Sequence, residues 1–277
     1  MKLSVITINF NNRDGLRKTI ESVVNQTYKD FEYIVIDGGS TDGSVDVIKE
    51  YADRIDYWVS EPDKGIYNAM NKGIDVAKGE YCNFMNSGDI YYNANVLSEM
   101  NKFMSGVDIV YGRSVYSDGT PTLKRQDRIP DIIHFISDTI SHQASFISTT
   151  LLRKYHYDEN LRIVSDWKFF IQAFVLEKCR YKNICKVINI QERNGISACI
   201  DLMENERTLV LNELFPQYVV DAFEKLVYGD TWEEKLYVGI QNSKISSIMY
   251  TINVVILRFI SLFHKGKIWI DEFPFQK

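Results

Sequence analysis

Short apolar runs alternate with amphipathic segments through the first hundred residues. Residues 3–10 form a β-rich run that predicts the first strand, and residues 33–36 predict a second. Between them, apolar side chains recur at helical spacing, opposite charged ones: Leu16, Ile20, Val23 and Val24 against Asp14, Lys18 and Glu21. Strands and helices that alternate at such short intervals predict parallel βαβ units with right-handed crossovers.

The clearest amphipathic helix is predicted at residues 66–77. Its apolar positions repeat at intervals of three and four: Ile66, Ala69, Met70, Gly73, Ile74 and Ala77. The opposite face carries Asn68, Asn71 and Lys72. After Gly79, residues 81–85 predict another strand, which ends at the polar turn 86–89.

The pattern changes after residue 107. A strand is predicted at 109–116, a helix at 166–177 and a strand at 184–190, and helical patterns dominate from 202 to 264. We therefore predict an α/β fold with a mixed sheet flanked by helices. The predicted domains are a catalytic one at 1–200, with halves 1–106 and 107–200, and a helical C-terminal region at 201–277.

Composition narrows the partners and the compartment. The 277 residues carry a formal net charge of −5 with both signs mixed along the chain, so no cationic stripe could follow a nucleic-acid backbone. Four cysteines form no Cys-x-x-Cys pair, which favours reduced thiols and a cytoplasmic location. The N-terminal run lacks the long apolar core of a signal peptide.

Two acids follow predicted strands at their carboxyl ends. Asp37 opens the Gly-rich loop 37–43, and Asp89 closes the turn 86–89. Open α/β sheets bind ligands in the crevice at this edge, so both carboxylates are expected at one ligand site. Thr41 or Asp42 is predicted to cap the helix that follows the first of these loops.

Three segments together resemble family 2 glycosyltransferases of the GT-A fold: residues 4–11, 36–43 and 65–79. With later motifs the resemblance extends to about residue 200. It implies a Rossmann-like mixed sheet and an inverting transfer of sugar from a nucleoside-diphosphate sugar, expected to be a UDP-sugar. The implied acceptor is a glycan or a lipid-linked glycan in surface polysaccharide synthesis.

The resemblance assigns a donor site to the first half of the chain. Asp37 is expected to contact the nucleobase, flanked by Thr7 and Asn9. The remaining predicted donor-binding residues are Asn68, Asn71, Lys72, Asn86 and Ser87. The alternatives are that Asp37 orders a Gly-rich turn and that Thr7 and Asn9 belong to the edge of the core.

A divalent metal is expected at Asp89. The family signature Asp-x-Asp is replaced here by Asn86-Ser87-Gly88-Asp89, which keeps only the last acid. One carboxylate still suffices for Mn²⁺ or Mg²⁺ when substrate phosphates and water complete the coordination. The alternative is a turn acid without metal, in which case Lys72 or Arg193 would offset the charge of the diphosphate.

The resemblance places the catalytic base at Asp166, near the start of an apolar-striped helix. Simple helix capping would also put an acid there. His142, Gln143 and Trp167 are expected on the acceptor side, and Arg193 and Ser197 in a loop over the diphosphate. A structural, hydrogen-bonded histidine is the alternative for His142.

The segment 247–269 combines a broad apolar face with basic residues and Trp269. It predicts peripheral membrane contact, or packing on its own domain or on a second copy in a homodimer. Two other functions stay open: a non-catalytic nucleotide-sugar-binding or scaffold protein, and a sugar nucleotidyltransferase. The latter normally needs a Gly-rich basic loop after the first strand, which residues 9–13 do not supply.

Overall fold

The computed structural model describes residues 2–123, 126–127, 129–192 and 200–221. The chain divides into two compact units, Met1–Glu213 and Leu214–Lys277. The predictions for Arg193, Ser197 and the segment 247–269 lie outside the described residues. Within the described part, no helix is both long and apolar enough to cross a lipid bilayer.

A single mixed sheet of eight strands forms the centre of the first unit, in the order β3-β2-β1-β4-β7-β6-β8-β5. The strands are β1 (Leu3–Asn9), β2 (Phe31–Asp37), β3 (Tyr57–Ser60), β4 (Tyr81–Phe84), β5 (Ile90–Tyr91), β6 (Ile109–Tyr116), β7 (Ser145–Ser148) and β8 (Tyr181–Gln191). Strands β1 to β4 run parallel, whereas β7 pairs antiparallel with β4 and β6. The predicted βαβ units and mixed sheet are confirmed.

The described helices are α1 (Arg13–Val24), α2 (Ser44–Glu50), α3 (Ile66–Val76), α4 (Val96–Met100), α5 (Ile132–Ser137), α6 (Thr149–Tyr155), α7 (Ser165–Phe170) and α8 (Ile200–Leu214). The helix predicted at 166–177 is α7 followed by a π-helical segment, Ile171–Leu176. Helix α3 packs on the sheet through Gly73, where an added Cβ would lie 2.5 Å from Ile6 Cγ2.

Two predictions of local structure need correction. The last strand is longer than predicted: β8 covers Tyr181–Gln191 and not only 184–190. Its pairing with β6 continues through register shifts, and Cys185 lies in the left-handed region at φ 51°. The predicted cap of α2 is wrong: Gly43 occupies the N-cap position at φ 93° and contributes no side-chain bond. Asp42 lies one residue earlier and accepts hydrogen bonds from Arg13 N and Ser44 N.

Candidate active site

The carboxyl ends of β1, β2 and β3 meet around Asp37. Its Oδ1 accepts hydrogen bonds from Asn9 Nδ2 (2.7 Å) and Ser40 Oγ (2.6 Å), and its Oδ2 accepts from Ser40 N (2.9 Å) and Ser60 Oγ (2.6 Å). Burial raises the pKa of this carboxyl, but the bonds from Ser40, Ser60 and Asn9 outweigh burial and lower it. Two of these bonds come from Ser40 in the loop 37–43, so Asp37 orders the Gly-rich turn that it begins.

An aromatic ring and a second carboxylate lie beside this turn. Phe10 follows β1 and is 63% exposed. A Cβ added at Gly38 would lie 2.4 Å from Asp63 Oδ2 and 3.2 Å from Phe10 Cδ2, so both side chains flank the same glycine. Neither residue was among the predicted site residues, although Phe10 stands among polar residues directly after a predicted strand.

Four predicted donor residues use their polar groups within the protein. Thr7 is buried and its hydroxyl contacts the Tyr33 hydroxyl at 3.0 Å, as the edge-of-core alternative holds. Asn68 donates to Glu159, and Asn71 binds the backbone N and O of Tyr157, so both hold the loop before Asn160. Lys72 pairs with Glu61 at 2.8 Å.

The turn after β4 joins two parts of the sheet. Buried Asp89 accepts from Glu192 N at 3.0 Å through Oδ1 and from Gln143 Nε2 at 3.1 Å through Oδ2. Burial raises the pKa of Asp89 to about 6. Ser87 O accepts from Asn12 Nδ2 at 3.1 Å, which fastens the same turn to the start of α1.

The oxygen atoms of this turn differ in how well they suit a divalent cation. Asp89 is buried, which disfavours direct contact with a hydrated cation, although each of its oxygens could accept more than the one hydrogen bond that it has. The oxygen with the right chemistry is Asn86 Oδ1, which is buried and has no hydrogen-bond partner. Among the described residues, no group of three or more His, Cys, Asp or Glu side chains could hold a metal.

Asp166, the predicted base, lies in a pocket of hydrogen-bond donors. His142 Nδ1 is 2.9 Å from its Oδ2, and Tyr67 Oη (3.0 Å) and Trp167 N (2.9 Å) contact its Oδ1. Burial raises the pKa of Asp166, but the hydrogen bonds from His142, Tyr67 and Trp167 outweigh burial and lower it. The carboxylate is therefore ionised at neutral pH and 16% exposed.

One dipeptide links the two predicted acids. His142 contacts Asp166, and the adjacent Gln143 contacts Asp89. The other ring nitrogen of His142, Nε2, lies 3.1 Å from Asn86 Nδ2. Since a carboxylate only accepts, Nδ1 carries the proton toward Asp166 and Nε2 accepts from Asn86. The turn after β4 and Asp166 thus belong to one connected hydrogen-bond network.

Trp167 lies in the interior rather than on an open acceptor face. It is buried, its indole nitrogen donates to Phe135 O at 2.7 Å, and the Arg207 guanidinium lies 5.0 Å from its ring centre. The predicted contact of Trp167 with an acceptor does not fit this burial, because the indole N–H already has a protein partner. Its backbone N–H contacts Asp166 Oδ1 at 2.9 Å.

A mixed sheet with parallel β1 to β4 and acids at their carboxyl edge is the architecture of the GT-A fold. Residues 4–180 match Glycosyl transferase family 2, and the chain belongs to that family. The resemblance identified from the three sequence segments is confirmed.

Known relatives carry glycosyltransferase descriptions. The chain is 37% identical over 180 residues to an uncharacterized glycosyltransferase of Mycobacterium tuberculosis strain H37Rv, covering 62% of this chain and 68% of the relative. It is 30% identical over 179 residues to a PGL/p-HBAD biosynthesis glycosyltransferase of the same strain, covering 62% and 69%.

Solved structures share the fold at low sequence identity. S. aureus TarS 1–349 in complex with UDP-GlcNAc matches with a TM-score of 0.64 at 19% identity, over 80% of this chain and 70% of that chain. In a longer TarS structure the match spans 42% of that chain. The mannosyltransferase PcManGT from Pyrobaculum calidifontis, in complex with GDP-Man and Mn²⁺, matches with a TM-score of 0.59 at 14% identity, over 76% and 63%.

Proposed function

We propose that this glycosyltransferase moves one sugar from a UDP-sugar to a hydroxyl of a glycan or lipid-linked acceptor in surface polysaccharide or glycolipid synthesis, with inversion. The single observation that carries the proposal is the network that joins Asp166, through His142 and Asn86, to the turn at the strand ends. The glycolipid-type description of one relative and the UDP-GlcNAc complex of TarS support the substrate classes.

The reaction uses Asp166 as general base. Its ionised carboxylate removes the proton of the acceptor hydroxyl while that oxygen attacks the anomeric carbon, and the bond from this carbon to the diphosphate breaks. The proton ends on Asp166 and the electron pair leaves with UDP. One attack from the face opposite the leaving group inverts the anomeric centre, whereas retention by double displacement needs a second, nucleophilic carboxylate.

Phe10 and Asp63 are the best candidates for the nucleobase site. An exposed ring offers a stacking surface for a base, and a carboxylate accepts a hydrogen bond from a ring N–H. Phe10 is exposed, and the two side chains flank Gly38. The family resemblance assigned the nucleobase contact to Asp37. In this proposal Asp37 instead supports the nucleobase site by ordering residues 37–40.

The use of Mn²⁺ or Mg²⁺ by this protein is part of the proposal. A bound cation would act as a Lewis acid that offsets charge on the departing diphosphate. Asn86 Oδ1 is the unpaired oxygen at the turn where such an ion would bind. The amide nitrogen of Asn86 also donates to His142, which contacts Asp166, so Asn86 connects the proposed cation site to the proposed base.

The test is Asp166→Asn, compared with Asp46→Asn on the exposed face of α2. UDP release from UDP-GlcNAc and other UDP-sugars should fall about 10²- to 10⁴-fold in the first variant and stay unchanged in the second. The dissociation constant for the donor, measured by titration calorimetry, should stay within about twofold in both, because Asp166 acts on the acceptor.

Three results would contradict the proposal. Turnover that persists in Asp166→Asn removes the base assignment. A wild-type protein that binds UDP-sugars but releases UDP from none of them, with a panel of glycan and lipid-linked acceptors, is the non-catalytic binding protein. Formation of a sugar nucleotide from UTP and a sugar phosphate identifies a nucleotidyltransferase.

A further inference from the structure

Helix α8 contributes a buried carboxylate to the segment that precedes the base. Glu206 is 5% exposed, and its Oε1 accepts a hydrogen bond from Arg162 N at 2.7 Å. Its Oε2 accepts from Ile163 N at 2.9 Å and from Val164 N at 3.2 Å. Three consecutive backbone N–H groups therefore converge on one side chain from a helix about forty residues away along the chain.

These three residues lead directly into the base. Val164 is the N-cap residue of α7, and Asp166 is the second residue of that helix. Ile163 is held from two sides, because its N–H binds Glu206 while its carbonyl oxygen lies 2.5 Å from the Tyr67 hydroxyl. The same hydroxyl is 3.0 Å from Asp166 Oδ1, so the backbone at Ile163 and the base share one contact.

Two more contacts tie α8 to the residues just after the base. Lys168 Nζ lies 2.7 Å from Glu213 and 2.8 Å from Asp158. The Arg207 guanidinium lies over the Trp167 ring, 5.0 Å from its centre. Because Glu206 and Glu213 are seven residues apart, they project from the same face of α8. Residues of α8 therefore contact the chain both before Asp166, at 162–164, and after it, at Lys168.

We propose that Glu206 is a positioning residue for the transfer reaction, acting on Asp166 through the backbone of residues 162–164. This role rests on the proposed function. A carboxylate can accept all three N–H groups, whereas a carboxamide presents N–H₂ to at least one of them and repels it. Loss of these contacts shifts the base, and small shifts of a reacting group cost rate without affecting a distant binding site.

The test compares Glu206→Gln with Glu204→Gln, an exposed glutamate on the same helix. Three quantities are measured: hydrogen exchange of the amides of 162–164, the donor dissociation constant, and kcat for UDP release from UDP-GlcNAc or whichever UDP-sugar the wild type turns over. We expect faster exchange and a kcat lower by about 10- to 100-fold for Glu206→Gln, with donor affinity within about twofold. Glu204→Gln should match the wild type in all three.

A merely structural role predicts a different outcome. If kcat and donor affinity fall together and protection is lost across the sheet, Glu206 only supports the fold and the positioning role is refuted. Unchanged kcat with faster exchange at 162–164 refutes it as well. If Glu206→Gln does not fold, Glu206→Asp keeps the charge and should give a smaller loss of kcat at unchanged donor affinity, and a wild-type kcat in that variant refutes the role.

Failure of this inference is distinguishable from failure of the proposed function. A wild-type protein without UDP release from any sugar donor removes the proposed function, and the role of Glu206 in it. A wild-type protein that turns over and depends on Asp166, but not on Glu206, keeps the function and removes only the positioning role.

Discussion

Asp37 and Asp89 are both buried carboxylates, yet their surroundings shift their pKa values in opposite directions. Asp37 accepts three hydroxyl or amide side-chain bonds and one backbone bond, which outweigh burial and lower its pKa. Asp89 accepts one backbone and one side-chain bond, so burial prevails and raises its pKa to about 6. The number of hydrogen-bond donors around each carboxylate therefore decides whether its pKa is lowered or raised.

The raised pKa of Asp89 predicts a pH dependence of stability. A carboxyl whose folded pKa exceeds its unfolded value contributes stability that is fully present below the unfolded pKa, and this is lost as the pH rises through about 6. The free energy of unfolding of the wild type, minus that of Asp89→Asn, should therefore fall by about 2 kcal/mol between pH 4 and pH 7. Urea titrations at several pH values measure it, and a pH-independent difference would contradict the assigned burial cost.

The nucleobase site predicts a loss of donor affinity without loss of fold. Phe10→Ala removes the exposed ring and should weaken UDP binding by about tenfold, while Asp63→Asn should weaken UDP more than ADP. Tyr92→Ala, at another exposed aromatic residue, is the matched control and should leave UDP binding unchanged. Calorimetric titration measures these affinities. Equal affinity of Phe10→Ala and the wild type would remove the stacking role.

At the scale of elements, the packing of α3 on β1 depends on the absence of a side chain at Gly73. Helix propensity alone predicts that Gly73→Ala stabilises the protein by about 1 kcal/mol. An added Cβ would instead lie 2.5 Å from Ile6 Cγ2 in the core, and overpacking of this kind costs about 1 to 3 kcal/mol. Thermal and urea unfolding decide by the sign: a more stable variant would show that the interface can relax.

Elements with a strong period were predictable, and side-chain partners were not. The apolar repeat of α3 and the strand runs β1, β4 and β6 depend on local sequence, and the structure has each of them. Asn71 lies on the polar face of α3, so the sequence suggested a pocket residue. Its hydrogen-bond partner Tyr157 lies 86 positions away in the chain. Periodicity carries no information about such distant partners, so it could not show that Asn71 is already satisfied.

The extent of β8 was hidden for a related reason. Lys182, Lys186 and other polar residues interrupt its apolar pattern, and the register against β6 shifts twice between Tyr111 and Ser114. Irregular pairing breaks the alternation of inward and outward side chains that marks a strand in sequence. The position of Asp166 at the active edge, in contrast, depended on the family resemblance, because capping explains an acid at that position equally well.

At the scale of the whole molecule, the candidate site is assembled from segments far apart in the chain. Asn86, His142 and Asp166 come from the turn after β4, the loop before β7 and the start of α7, and Glu206 adds α8. All these residues belong to the unit Met1–Glu213. Their joint position therefore depends on the complete folding of that unit.

This organisation predicts that a chain ending at Asp221, which keeps α8 whole, binds UDP-GlcNAc with the affinity of the full chain and retains UDP release. Calorimetry and a coupled UDP assay on both forms measure this. Glu206→Gln in the shortened chain is the control, because the loss of kcat should be as large there as in the full chain if α8 acts from within the first unit. A shortened chain that folds but no longer binds the donor would show that residues after 221 help to form the site. Retained donor affinity with lost turnover of a glycan or lipid-linked acceptor would instead assign acceptor binding to those residues.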